Sequence, residues 1–340
     1  MTDPDATVRL PRPAAPGPAR GAAPAPTRAA RPSRLVLAGG AAVLLAGAGA
    51  AALWLWLGQG PAEPPPKPEA PGVATPAPTA PSPPRSMTMA PPADFAPPVA
   101  SEEAILAHRA ERPVIFRLDA NPRVFVVDFP GLEVQGATLN RVAALVEKAG
   151  QPRDRVLPDA ALAAAITASG ETAGTYYYGH NYRGRDLERF FALADRDGIA
   201  LNAEEQWLRR EVARLRRLVP APEDFALVSV PGLEPRVDAA MRRAILHHEI
   251  GHGHFFTDAR FAAHVALVWR DVFTEQERAR FRAFLEREGY DPALEEVMMN
   301  EAMSYLIFTP DPRFFTPAHA GLDDVRADVL RAALRAGAPR

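Results

Sequence analysis

His248, Glu249 and His252 stand in the run HHEIGHGHFF, His247 to Phe256. On a helix the two histidines are four residues apart, so both imidazoles project from one face and can grip one ion. Glu249 is one step round that helix, within reach of a water on the ion. Those are the parts of hydrolytic zinc chemistry: the metal polarises a carbonyl and lowers the pKa of water, and the carboxylate takes the water's proton. The bland alternative is a polar helix end rich in imidazole. Against it, the stripe Val237, Met241, Ala244, Ile245 runs straight into His248 and His252. Two polar rings therefore occupy positions where core residues are expected, and buried imidazoles need partners. His247 and His254 are too far apart to share the ion and are expected at the surface or behind the ligands.

A catalytic zinc site takes three protein ligands and leaves one position for water, so a third ligand is required. Glu301 is the only charge in VMMNEAMSYLIF, Val297 to Phe308. It shares a helical face with Leu294, Val297, Met298, Ser304, Tyr305 and Phe308, so its carboxylate points to the core, where a cation would be its natural partner. An arginine from another helix is the competing partner. Asp258, six residues after His252, is the alternative third ligand at the metzincin offset, but Phe255 stands where that pattern needs a glycine.

HEIGH followed by NEAMSY resembles the gluzincin zinc metallopeptidases, and Asn300-Glu301-Ala302 with Ser304 is close to the Asn-Glu-Ala-x-Ser-Asp run of their thermolysin-like members. The resemblance covers about a dozen residues in two motifs. It implies His248, His252 and Glu301 as zinc ligands, Glu249 as general base and a peptide or protein substrate. Two departures stand out: Tyr305 occupies the position of the aspartate that steadies a zinc histidine, and the spacing from His252 to Glu301 is longer than in thermolysin-like enzymes. Tyr305 and Asn300 are candidates for the shell behind the ligands. Tyr178 and His180, in the run TYYYGHNY, are candidates for an oxyanion donor.

The elements that must position these groups follow from periodicity. PVIFRL and RVFVVDF around DANP predict a hairpin over 113–129. Helices are expected over Thr138 to Gly150, Asp159 to Ala168, Asp186 to Ala194, Ala203 to Leu218, Val237 to His252, Asp258 to Phe273, Glu275 to Glu288, Pro292 to Phe308 and Asp323 to Ala336. The run around TYYYGHNY reads as a loop. DFALVSV is a short strand just before the histidine helix and, by analogy with zincins, the expected cradle for extended substrate. The fold class is α+β: a zincin-like, mainly helical catalytic domain with a small β portion over 101–340, with an α/β subdomain conceivable over 101–170.

The first hundred residues are of another kind. Residues 1–34 are rich in Pro and Ala, with six arginines against two aspartates, a charge of +4 on a chain whose formal net charge is −2. The remainder is thus mildly acidic and carries no basic stripe, which argues against nucleic acid. Leu35 to Leu57 is 23 residues without a charge. At 1.5 Å per residue this spans a hydrocarbon core of about 30 Å. The arginines lie before it, so the N-terminus is expected in the cytoplasm and the rest on the exported side of a bacterial inner membrane. A signal peptide cut near Ala46-Gly47-Ala48 is the alternative. Residues 58–100 are a Pro-rich linker: 24 of the 40 residues from Pro61 to Ala100 are Pro or Ala, a composition that favours extended chain. Cysteine is absent, so thiolate and disulfide chemistry are excluded. The competing function is a zinc-stabilised envelope scaffold without activity, carried on the same stalk.

Overall fold

The computed structural model describes residues 96–339; the predicted membrane span Leu35 to Leu57, the arginine-rich tail and most of the linker lie outside the described residues. Among the described residues no helix is long and apolar enough to cross a membrane. The fold is mixed α/β and mainly helical, with one small sheet. Its strands are β1 (Val99–Ala100), β2 (Val114–Leu118), β3 (Val124–Asp128), β4 (Asn181–Arg183) and β5 (Ala226–Val230). The helices are α1 (Glu102–Ala107), α2 (Leu132–Val146), α3 (Asp159–Ala168), α4 (Gly184–Arg196), α5 (Ala203–Leu218), α6 (Ala239–Thr257), α7 (Ala259–Asp271), α8 (Glu275–Arg287), α9 (Glu295–Ile307) and α10 (Asp324–Arg335).

The expected hairpin is present as β2 and β3, antiparallel with Ile115 opposite Val127. Sheet order is β1-β2-β3-β5-β4, with β3 and β5 parallel and β4 antiparallel to β5. A strand from late in the chain thus lies beside one from early in it. The short strand β4 lies inside the tyrosine-rich run read as a loop.

Alternation along β3 and β5 separates two apolar cores. Phe125, Val127 and Leu227 face the large core with α2, α4 and α5. Val124, Val126, Val228 and Val230 face the other side and meet Met241, Ala244 and Ile245 of α6. The contact with α6 is close: a β-carbon on Gly253 would fall 2.9 Å from Val124. On the same face Asp128 is fully buried and ion-pairs with Arg242 of α6 at 2.9 Å. Arg242 also donates to the Ile105 carbonyl at 2.9 Å and to the Pro231 carbonyl, so one guanidinium ties α1, β3, the turn after β5 and α6 together with its charge paired.

Several boundaries move for physical reasons. Helix α2 starts at Leu132, not Thr138, and Thr138 is an interior residue whose hydroxyl donates to the Val134 carbonyl. Helix α6 runs five residues past His252 because nothing breaks it before Asp258, whose side chain caps the next helix by accepting from the amides of Arg260 and Phe261. Helix α9 begins at Glu295, since Asp291 and Pro292 form a preceding turn in which the Asp291 carboxylate accepts from the Ala293 amide.

Candidate metal centre

Helices α6 and α9 pack face to face and bring their polar residues to one point. His248, His252 and Glu301 each offer a ligand atom there, all within 4.8 Å of one another. The spacings are 3.0 Å between the two Nε2 atoms, 3.5 Å from His248 Nε2 to Glu301 Oε2 and 3.5 Å from His252 Nε2 to Glu301 Oε1. Donors at 2.0–2.1 Å from a tetrahedral zinc stand about 3.3 Å apart. The two imidazole nitrogens are close to that spacing, and the carboxylate of Glu301 faces them with one oxygen toward each, so the three side chains converge as ligands of one cation would. All three residues are at most 1% exposed, and among the described residues no arginine pairs with Glu301, the partner that a purely structural glutamate would need. Asp258, the alternative ligand, is committed as a helix cap.

Charges in the cluster are mutually adjusted. Burial pushes the Glu301 carboxyl up, but the charge of His252 and the contacts from both histidines outweigh it and hold it at about 2. Burial works against the charged form of His252, yet Glu301 and Glu249 raise its pKa to about 9. Burial lowers His248 to about 4. Without a metal the site thus balances one carboxylate with one imidazolium, and His248 stays neutral. A cation would take over that positive charge.

Glu249 is 2% exposed, on the neighbouring face of α6. Burial raises its carboxyl to about 7, against the pull of His252 and a hydrogen bond from Asn181. That places it near the pH at which a general base works best. Asn181 Nδ2 donates to Glu249 Oε2 at 2.9 Å, which fixes one oxygen of the carboxylate. The chain before Asn181 runs so close that a β-carbon on Gly179 would lie 2.7 Å from Glu249 Cδ and closer still to Oε1. Gly179→Ala must displace the carboxylate, and a shift of about 1 Å costs about 10²-fold in rate. The expected result is that loss in kcat with unchanged metal content, read by steady-state kinetics and elemental analysis.

No family model, curated protein or solved structure matches this chain. The reading of the site therefore rests on its own residues.

A cleft of about 350 Å³ reaches Glu301 between the first turn of α9, Asn181 and Arg183 of β4, and Phe256 of α6. Strand β4 is the terminal strand of the sheet on this side, whereas β5 has a partner on both edges. The expectation that ALVSV would cradle substrate is thus corrected: β5 has no free edge, and β4 does. Glu147 also lines the cleft, with its carboxyl raised to about 8 by burial and by the charges of Glu301 and Glu249.

The remaining candidates are placed as follows. Asn300 is buried and lines the cleft beside Glu301. Tyr305 is fully buried, with its ring centre 4.8 Å from that of His248. His180 is kept neutral, its pKa pushed down by burial to about 3, and its Nδ1 lies 2.9 Å from the Tyr182 hydroxyl. Tyr178 packs with Leu132, Val237 and Ile245 in the core beneath α6. His247 is half exposed and contacts Glu102, while His254 meets Asn121. Sequence reasoning missed Gly179, Asn181, Glu147 and Thr309. The last lies just beyond α9, with its hydroxyl 2.7 Å from His248 Nδ1.

Proposed function

We infer that this chain is a zinc metallopeptidase of gluzincin type that hydrolyses peptide bonds of exported proteins or peptides. The observation that carries the reading is the buried trio His248, His252 and Glu301, whose ligand atoms converge within 4.8 Å, with the carboxylate of Glu249 on the adjoining face of α6. Zinc bound by these residues would supply Lewis acidity toward a carbonyl and toward water. Glu249 accepts a proton from the attacking water and passes it to the leaving amine, held for that exchange by Asn181. Burial of the centre strengthens each of these electrostatic contacts relative to water.

An extended peptide fits this geometry by adding to the free edge of β4, whose residues line the cleft that leads to Glu301. Tethering by Leu35 to Leu57 and spacing by the Pro-rich linker would set the site some distance from a membrane, so a lipid-embedded substrate is not required. Purified full-length protein should degrade denatured casein, stop when a chelator removes the metal and recover with added zinc. Zinc-loaded protein that leaves casein and a mixed peptide library intact would instead support a metal-stabilised scaffold.

A further inference from the structure

Three hydrogen bonds close a ring around His248. Ser304 Oγ donates to the His248 carbonyl at 2.8 Å, Thr309 Oγ1 donates to the Ser304 carbonyl at 3.0 Å, and His248 Nδ1 lies 2.7 Å from Thr309 Oγ1. All three residues are buried. A hydroxyl has one proton to give. That of Thr309 is committed to the Ser304 carbonyl, which can only accept, so toward the ring the threonine oxygen can only accept in turn. With the Thr309 proton on Ser304, Nδ1 of His248 carries the hydrogen of this contact. Its Nε2, which faces His252 and Glu301, keeps a lone pair, and that is the tautomer a cation needs. The 3.0 Å contact between the two Nε2 atoms fits the same assignment, with His252 supplying the hydrogen between them.

We propose that Thr309 is a positioning residue for the metal centre, fixing both the tautomer and the ring orientation of His248 through a neutral hydroxyl whose own proton is anchored on Ser304. The proposal deepens the metallopeptidase reading and rests on it. The position four residues after Glu301, where thermolysin-like enzymes carry an aspartate, holds Tyr305, whose ring centre lies 4.8 Å from that of His248 with the planes tilted by 56°. Thr309 lies four residues further along, just past the end of α9, and takes up the Nδ1 edge. The substitution has a chemical consequence. A hydroxyl polarises the imidazole less than a carboxylate does, so His248 would be a weaker donor to a bound cation and would neutralise less of its charge. The ring of bonds also joins α6 to the end of α9, so the same contacts that orient His248 hold the helix bearing Glu301 against it.

Thr309→Val keeps the shape of the side chain and removes the acceptor. In the full-length protein its zinc dissociation constant, measured by competition with a chromophoric chelator, should rise about 10- to 100-fold. Thr309→Ser should restore affinity close to that of the wild type. Nitrogen-15 NMR of the histidine-labelled wild type gives a second readout that needs no variant to fold: His248 is expected protonated on Nδ1 and bare on Nε2. Unchanged zinc affinity in Thr309→Val, or a wild-type His248 protonated on Nε2, overturns the proposal. A wild type with the Nδ1 tautomer that binds no zinc would uphold the Thr309 contact and remove the metallopeptidase reading instead.

Discussion

Glu249→Gln is expected to lower kcat on a peptide substrate by about 10²- to 10⁴-fold, the usual contribution of a positioned general base, while zinc content and melting temperature stay close to wild type. The amide has nearly the shape of the carboxylate, and Asn181 can still hold one end of it, so the fold is preserved. What is lost is the ability to take a proton. In KM the change should be small, because Glu249 does not line the cleft that reaches Glu301. A variant that retained full activity would show that the proton goes elsewhere, and Glu147, the other buried carboxyl near Glu301, would become the first residue to replace.

Glu301→Ala is expected to act on the metal and on the metal-free fold together. Loss of the third donor should weaken zinc binding by more than the 10- to 100-fold typical of residues that merely support a ligand. It also strips His252 of the carboxylate that keeps it charged. Removing one partner of a buried pair costs about 3–5 kcal/mol, unless the histidine gives up its proton. The two residues also set a pH window for the chelated wild type. The raised pKa of His252 contributes stability that is complete below its unfolded value of 6.5 and is lost as pH rises through about 9. The depressed pKa of Glu301 contributes stability that is present above its unfolded value of 4.5 and is lost as pH falls through about 2. Chelated protein should therefore lose thermal stability between pH 6.5 and 9. Glu301→Ala should lose much of that slope, and calorimetry across the range checks it. An unchanged slope would mean that the Glu301–His252 contact is energetically unimportant.

The cluster of His248, His252 and Glu301 was legible in sequence because its anomaly is local. His248, His252 and Glu301 interrupt apolar stripes at helical spacing, and a polar group on a buried face needs a partner whatever the rest of the fold does. The hairpin of β2 and β3 was legible for a similar reason, with its turn residues adjacent to its strands. What surrounds the cluster was not. Strand β4 is three residues long and exists because β5, over forty residues later, pairs with it, so no local pattern announces Asn181 as the partner of Glu249. Gly179 looks like any loop glycine until the close approach of Glu249 is seen. Thr309 lies past the end of α9, where helical periodicity no longer predicts direction. The start of α2 was missed because Thr138 resembles a cap, while the helix is entered at Gly131 without a side-chain cap.

Zinc K-edge X-ray absorption on the zinc-loaded full-length protein tests the central claim most directly. Two imidazole nitrogens at about 2.0–2.1 Å and a carboxylate oxygen at about 2.0–2.2 Å are expected in the first shell, with the imidazole signal diminished in His248→Ala and His252→Ala. A shell of oxygen donors without imidazole, or one that neither histidine substitution alters, would place the metal elsewhere and contradict the assignment.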